Sequence, residues 1–274
     1  MEDILRAIAL GVIQGLTEFL PISSSGHLIV ARELFGWEFA DDLTFDVALH
    51  LGTTAAVIAF FWSEWLAMLR SGWEWLRHRD RPLDDPETAY DARLLALLAI
   101  GSIPAAISGV FFDVVLDVRS PVVVGVMLIV FALVFFVVDR ASRGRRDVAS
   151  ANGADAAWVG TAQAVSLIPG VSRSGITMSA GMLRNFSREQ AARFSFLLAT
   201  PAILGAAMLK GVEAAVEGIP ADDIAAMIAG ATTSAVVGWL SIRYLLRWLQ
   251  TGTFTPFVVY RLLVGAFIIV YFSV

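Results

Sequence analysis

The sequence predicts an all-α polytopic membrane protein made of two inverted-topology repeats, each a re-entrant helical hairpin followed by three transmembrane helices. Composition is the first observation behind this. The 274 residues are 57% hydrophobic and 16% charged, with mean hydropathy +0.72, whereas a soluble domain carries about 25% charge. The second is that apolar runs approaching ~20 residues, the length that crosses ~30 Å of hydrocarbon, recur from end to end. The third is internal: with an offset of 149 residues, Gly11, Gln14, Ser23, Ser25, Gly26 and Phe45 fall on Gly160, Gln163, Ser172, Ser174, Gly175 and Phe194.

Residues 4–20 read as a helix that Pro21 stops, because proline has no N–H to continue it. Ser23–Gly26 opens a second helical piece reaching about Phe35, too short to span. Such a broken pair is tolerated only where its open backbone is buried in protein or lines a cavity. An acidic loop from Glu33 to Asp42 follows, then spans at 44–62, 94–112 and 121–138. Loop 63–93 is expected between the first two, with Trp62, Trp65, Trp73 and Trp75 as an interfacial belt. Loop 139–155 carries Arg140, Arg143, Arg145 and Arg146. The second half opens near 156 with a helix reaching Leu167-Ile168-Pro169-Gly170, breaks at Ser172–Gly175, and continues in a short piece to about Arg184. Spans at 190–211, 224–247 and 255–273 complete the chain. The expectation is one membrane domain, 1–274, with repeats at about 3–140 and 152–274.

Basic loops face the cytoplasm. That places 63–93, 139–155 and 243–247 inside and the arginine-poor segments 33–42, 113–119 and 213–223 outside. The first hairpin then enters from outside and the second from the cytoplasm, so their breaks meet near the midplane. With no cysteine, disulfides, thiolate metal sites and a cysteine nucleophile are excluded. Met1-Glu2-Asp3 lacks a basic n-region, so no cleavable signal peptide is expected. A net charge of −5 gives no reason to expect a nucleic-acid partner.

Ionisable residues at membrane depth cost roughly 2.5–3.5 kcal/mol each on insertion scales and are read as functional by default. Gln14 and Glu18 are four apart and share a helix face. Glu18 suits a general base or a divalent-cation ligand; a structural carboxylate, neutralised by a proton or a buried arginine, is the plainer alternative. Ser23, Ser24 and Ser25 enter a helix that continues through Gly26 and His27. One serine suits an N-cap, yet a hydroxyl near a histidine and a carboxylate is also the inventory of an activated nucleophile. In the second break, Gly170, Ser172, Arg173, Ser174 and Thr177 stand at a helix start. There, free N–H groups, hydroxyls and a guanidinium suit a phosphate; a bare ion pair between Arg173 and Glu18 is the alternative. Asp46 and His50, again four apart, are either a helix-surface pair or support around the site. Gln163, Asn185 and Arg261 are weaker candidates.

The run Gln14-x-x-x-Glu18-Phe-Leu-Pro-Ile-Ser-Ser-Ser-Gly-His27, followed by Pro169-Gly-Val-Ser-Arg173-Ser-Gly-Ile-Thr177, resembles the undecaprenyl-pyrophosphate phosphatase family of the bacitracin-resistance type. Phe194-Ser-Phe-Leu-Leu-Ala-Thr-Pro201 is also similar to it, and the resemblance covers essentially the whole chain. It implies a plasma-membrane enzyme that cleaves a C55 polyprenyl pyrophosphate to monophosphate and phosphate, with its site open to the extracytoplasmic face. It also implies a dependence on Mg or Ca and a polyprenyl pyrophosphate partner; a homodimer is the expected assembly, if any. By motif position Ser24 is the implied nucleophile, Glu18 and His27 the acid/base or metal partners, and Arg173 the phosphate clamp. Gln14, Ser23, Ser25, Gly170, Ser172, Ser174 and Thr177 become substrate-binding residues, with Asp46 and His50 behind them. The first motif carboxylate is here Gln14, which weakens any scheme needing two carboxylates on one metal. An inverted-repeat transporter of a prenyl phosphate is the alternative. The other membrane lipid-phosphatase class, with its Lys-x6-Arg-Pro run, is not matched, since Glu74 stands at the lysine position before Arg81-Pro82.

Overall fold

A computed structural model describes residues 2–37, 39, 42–78, 85–115, 120–217 and 221–273. They form helices α1 (Glu2–Phe19), α2 (Ser24–Phe35), α3 (Asp42–Phe60), α4 (Trp62–Arg77), α5 (Pro86–Val115) and α6 (Pro121–Ala141). A short 3-10 turn at Val148–Ser150 leads to α7 (Gly153–Val165), α8 (Arg173–Leu183), α9 (Arg188–Glu217), α10 (Ala221–Leu249) and α11 (Thr255–Phe272). Five of these, α5, α6, α9, α10 and α11, are long and apolar enough to cross a membrane; α3 qualifies together with α4. The chain is therefore an all-α polytopic membrane protein, with the short pairs α1–α2 and α7–α8 where breaks are expected. The outward segments expected at 33–42, 113–119 and 213–223 lie partly outside the described residues.

The expected loop 63–93 needs correction. Residues Trp62–Arg77 are helical, bent 79° from the direction of α3, and α5 begins at Pro86 rather than near residue 94. Met68, Ser71 and Gly72 recur at helical spacing and are buried, while Trp62, Leu69, Trp73 and Trp75 are exposed. A Cβ added at Gly72 would stand 2.6 Å from Leu95 Cδ2, so α4 lies tight on α5. Mixed charge concealed this one-sided apolar stripe, which suits a helix lying along an interface.

Close helix crossings rest on small residues, as membrane helices require in the absence of a strong hydrophobic drive between them. Helix α1 packs on α10, and α7 on α5, in the same manner. A Cβ at Gly11 would fall 2.5 Å from Gly230 O, and one at Gly160 would fall 2.1 Å from Gly101 O. Helices α6 and α11 pack on each other through Gly125 and Gly265, each Cβ position lying under 3 Å from the other's carbonyl (2.9 and 2.8 Å).

Buried aspartates gather arginines where the segment after α6 meets α8 and α9. Asp139 accepts from Arg188 Nε (2.6 Å) and from the Phe254 backbone N–H (3.1 Å). Asp155, inaccessible to solvent, accepts from Arg146 Nη2 (2.8 Å) and Arg184 Nε (2.5 Å), and it closes a capping box with Asn152 at the start of α7. Burial raises the Asp155 pKa, but the hydrogen bonds from Arg146 and Arg184 outweigh this and hold it below the ordinary carboxylate value. A depressed carboxylate pKa stabilises the fold above its unfolded value, near 4, and that stability is lost as pH falls through the folded value. Asp155→Asn is expected to cost about 1–3 kcal/mol, because Arg146 and Arg184 lose their carboxylate while the amide keeps one acceptor oxygen. It should also flatten the acid limb of thermal stability; a melting temperature that falls equally in both proteins below about pH 4 would contradict this.

Candidate active site

Both breaks use the same unusual backbone. Ser23 (φ 76°, ψ 95°) precedes α2 and Ser172 (φ 78°, ψ 108°) precedes α8. Positive φ at a non-glycine residue costs about 1–3 kcal/mol and persists where its surroundings dictate it. Here the surroundings are the other break. Arg173 Nη2 reaches Glu18 Oε1 (2.5 Å), and Ser174 Oγ donates to the Leu20 carbonyl (3.0 Å). A Cβ at Gly26 would stand 3.6 Å from Gly170 Cα. Glu18 and Arg173, 155 residues apart in the chain, are in direct contact.

Glu18 ends α1 and is 5% exposed. One turn earlier Gln14 Nε2 donates to its Oε2 (3.0 Å), and Ser24 Oγ, the first residue of α2, donates to the same oxygen (2.5 Å). His50 Nε2 lies 3.6 Å from that oxygen. One carboxylate thus faces a hydroxyl, a guanidinium, an amide and an imidazole. The N-termini of α2 and α8 open beside it, where unpaired N–H groups and the helix dipoles favour an anion. Three buried polar atoms in this cluster have no partner: Gln14 Oε1, Ser23 Oγ and Arg173 Nη1. An unsatisfied buried donor or acceptor costs about 1–3 kcal/mol, so three of them on the residues around the two breaks suit a place that takes a polar ligand.

Other candidates have different settings. Ser172 Oγ caps α8 by accepting from Gly175 N–H (3.2 Å) and lies 3.2 Å from Ser174 Oγ. Thr177 is fully buried, donates to Arg173 O (2.7 Å) and sits 2.6 Å from Ser195 Oγ, which joins α8 to α9. The structure therefore gives its hydroxyl a packing task. Ser25 is half-buried on the first turn of α2. Gly170 (φ 91°) turns its carbonyl to Arg261. Asp46 forms a bidentate pair with Arg32 (3.0 and 2.7 Å) that ties α3 to α2, and its backbone carbonyl holds His50 Nδ1 (2.8 Å). Nδ1 therefore carries the proton, and Nε2 is directed at Glu18.

His27 is turned elsewhere. Its Nδ1 meets the Ser23 carbonyl (2.7 Å), so Nε2 accepts from the Tyr260 hydroxyl (2.8 Å), with the two rings stacked 5.7 Å apart. The imidazole facing Glu18 in this structure is His50. Tyr260 and Arg261, consecutive on α11, are the contributors that sequence reasoning missed or ranked low. Tyr260 gave no signal among the aromatic residues of a span. The buried charge of Arg261 was visible, but its position was not.

Among the described residues no three His, Cys, Asp or Glu side chains cluster as a metal site. Magnesium, however, is commonly held by one or two carboxylates together with substrate phosphates. Glu18 supplies one such carboxylate, while Gln14 turns its amide Nε2 to it.

The family model described as "Bacitracin resistance protein BacA" matches residues 7–267. A protein named undecaprenyl-diphosphatase from Moorella thermoacetica is 45% identical over 272 residues, covering 98% of both chains. One of the same name from Pelotomaculum thermopropionicum is 43% identical over 272 residues, covering 97% of this chain and 96% of that one. Undecaprenyl-diphosphatase 2 of Stutzerimonas stutzeri is 43% identical over 276 residues, covering 99% of each. A family-model match over residues 7–267, which takes in both breaks, with relatives 43–45% identical over nearly the whole chain, makes this chain a member of the BacA family.

Proposed function

We propose that the chain is an integral membrane phosphatase that hydrolyses undecaprenyl pyrophosphate, or a close polyprenyl analogue, to the monophosphate and inorganic phosphate. That reaction recycles a lipid carrier of envelope glycan synthesis and would oppose bacitracin. The observation that carries the reading is the Ser24–Glu18–Arg173 constellation, assembled from two breaks that are distant in sequence. The names of its relatives support the substrate.

In the proposed reaction the diphosphate displaces Glu18 from Arg173 and occupies the two helix N-termini. Arg173 Nη1, which has no partner within the protein, and Nη2 grip phosphoryl oxygens in bidentate fashion. Glu18 takes the Ser24 proton, and Ser24 Oγ attacks the terminal phosphorus while the bond to the bridging oxygen breaks. The polyprenyl monophosphate leaves, and water then releases phosphate from the serine. The enzyme's main contribution is fixed positive charge around the transferring group. A divalent cation held by Glu18 would add Lewis-acid neutralisation of the phosphates. For His27 to carry a proton, its Nε2 must exchange the Tyr260 hydroxyl for a phosphate oxygen, whereas His50 already faces Glu18.

The two inverted units, about 3–140 and 152–274, belong to the same proposal. Matching Ser23 and Ser172 backbones, the like α1–α10 and α7–α5 crossings, and the mutual α6–α11 contact support it. The charge of the loops then opens the site to the extracytoplasmic face of the plasma membrane. Phosphate release by the purified protein from defined polyprenyl pyrophosphates in detergent, with and without chelator, tests the reading. Turnover that chelator suppresses is expected. Binding with no phosphate release would indicate a transporter of the lipid instead.

A further inference from the structure

Arg261 is fully buried on α11, where a guanidinium is expensive unless paired. Among the described residues no carboxylate pairs with it. It donates instead to five backbone carbonyls: Leu128 O from Nε (3.1 Å), Pro21 O from Nη1 (3.3 Å), and Met127 O (3.3 Å), Gly170 O (2.8 Å) and Val171 O (3.3 Å) from Nη2. Phe135 lies beneath it, 4.8 Å from ring centre to guanidinium carbon, and a Cβ at Gly175 on α8 would stand 2.3 Å from the same ring. The acceptors come from three places: Pro21 in the first break, Gly170 and Val171 in the second, and Met127 and Leu128 on α6. The Pro21, Gly170 and Val171 carbonyls lie in the breaks and need a donor that no helix supplies, while Met127 and Leu128 lie within α6 and tie that helix to the same guanidinium.

We infer that Arg261 is a positioning residue: its planar fork fastens both breaks to each other and to α6, fixing the separation at which Ser24 and Arg173 face the diphosphate. The reading rests on the phosphatase proposal for its catalytic consequence, but not for its geometry. A neutral amide offers two donors and lysine three, on one mobile point; only arginine presents five in a rigid plane. The cation also leaves net positive charge behind a site that receives an anion, so the charge that burial makes costly serves ligand binding. Displacements of about 1 Å at such a site cost ~100-fold in rate.

Arg261→Lys keeps the charge and loses the fork. It is expected to lower kcat at least tenfold, with KM within about threefold, at a temperature well below its own unfolding transition. Arg261→Met, which removes both, should raise KM as well. A second measurement is independent of catalysis. The chain has no cysteine, so spin labels at Phe35→Cys and Leu183→Cys, exposed ends of α2 and α8, report the spacing of the two breaks. The inter-label distance distribution should be narrow with Arg261 and broader in both variants. Unchanged kcat in a folded Arg261→Lys protein, or a distribution that stays narrow, would overturn the inference. If the Arg261 protein itself releases no phosphate, the phosphatase reading fails, and the label distances alone decide the role of Arg261.

Discussion

Arg173→Ala is expected to lower phosphate release from polyprenyl pyrophosphate by about 10³-fold or more, while the protein still inserts and purifies as a single species. An arginine on a transferring phosphoryl group is worth ~10³–10⁵ in comparable reactions. In this site Arg173 stands at the N-terminus of α8 with one nitrogen on Glu18 and the other unpartnered. Removing it also strands the Glu18 carboxylate, so Arg173→Lys, which keeps a charge but cannot bind two oxygens in a plane, separates recognition from electrostatic support. Lysine should restore folding and little of the rate. A monodisperse Arg173→Ala protein with near-normal turnover would remove Arg173 from the mechanism.

Glu18→Gln should have a comparable effect on kcat and an opposite one on binding. The amide is close in size but cannot take the Ser24 proton, and loss of a general base typically costs ~10²–10⁴ in rate. Paired with Arg173, Glu18 also competes with any incoming anion for the guanidinium. Neutralising it frees the guanidinium, so KM should stay level or fall while kcat collapses. A rise in KM with kcat intact would mean that Glu18 serves binding alone, for instance through a cation. Ser24→Ala read alongside it decides the nucleophile: a phosphoenzyme trapped in the unmodified protein and absent from Ser24→Ala supports the serine. Ser24→Ala turnover within tenfold of normal would assign the attack to water.

Several elements were legible because membrane insertion is a severe and local constraint. Pro21 and Pro169 beside serine-rich turns marked the breaks, and the structure ends α1 at Phe19 and starts α8 at Arg173. Five spans follow from hydropathy and length alone, and α3 qualifies as a sixth only together with α4. Helix α4 was not legible in the same way. A span must be apolar on every side, whereas α4 needs only the buried stripe at Met68, Ser71 and Gly72, and charge on its other faces disguised it as a loop.

The site divides along a similar line. Glu18, Ser24 and Arg173 could be named because charged and hydroxyl groups beside a break have few other reasons to sit at membrane depth. Thr177 lies in the same motif, but its hydroxyl turns to Ser195 because α8 and α9 pack there. His27 was ranked above His50, yet His50 is the ring that stands at Glu18 while His27 turns to Tyr260, since ring direction depends on the Ser23 and Asp46 carbonyls and on Tyr260. Gln163, which the 149-residue offset pairs with Gln14, has Leu167 where the first unit has Glu18. Its side chain is buried without a partner. Chemistry therefore gathers at the break that carries the carboxylate.

By itself the sequence determined that the chain lives in a bilayer, where its helices break, and which residue types wait at the breaks. Those properties follow from the cost of moving each group out of water, paid residue by residue. Only the tertiary structure decided that the breaks touch, that Arg261 fastens them, and which histidine faces Glu18. These depend on contacts between different helices, many of them more than a hundred residues apart, which no local transfer energy encodes.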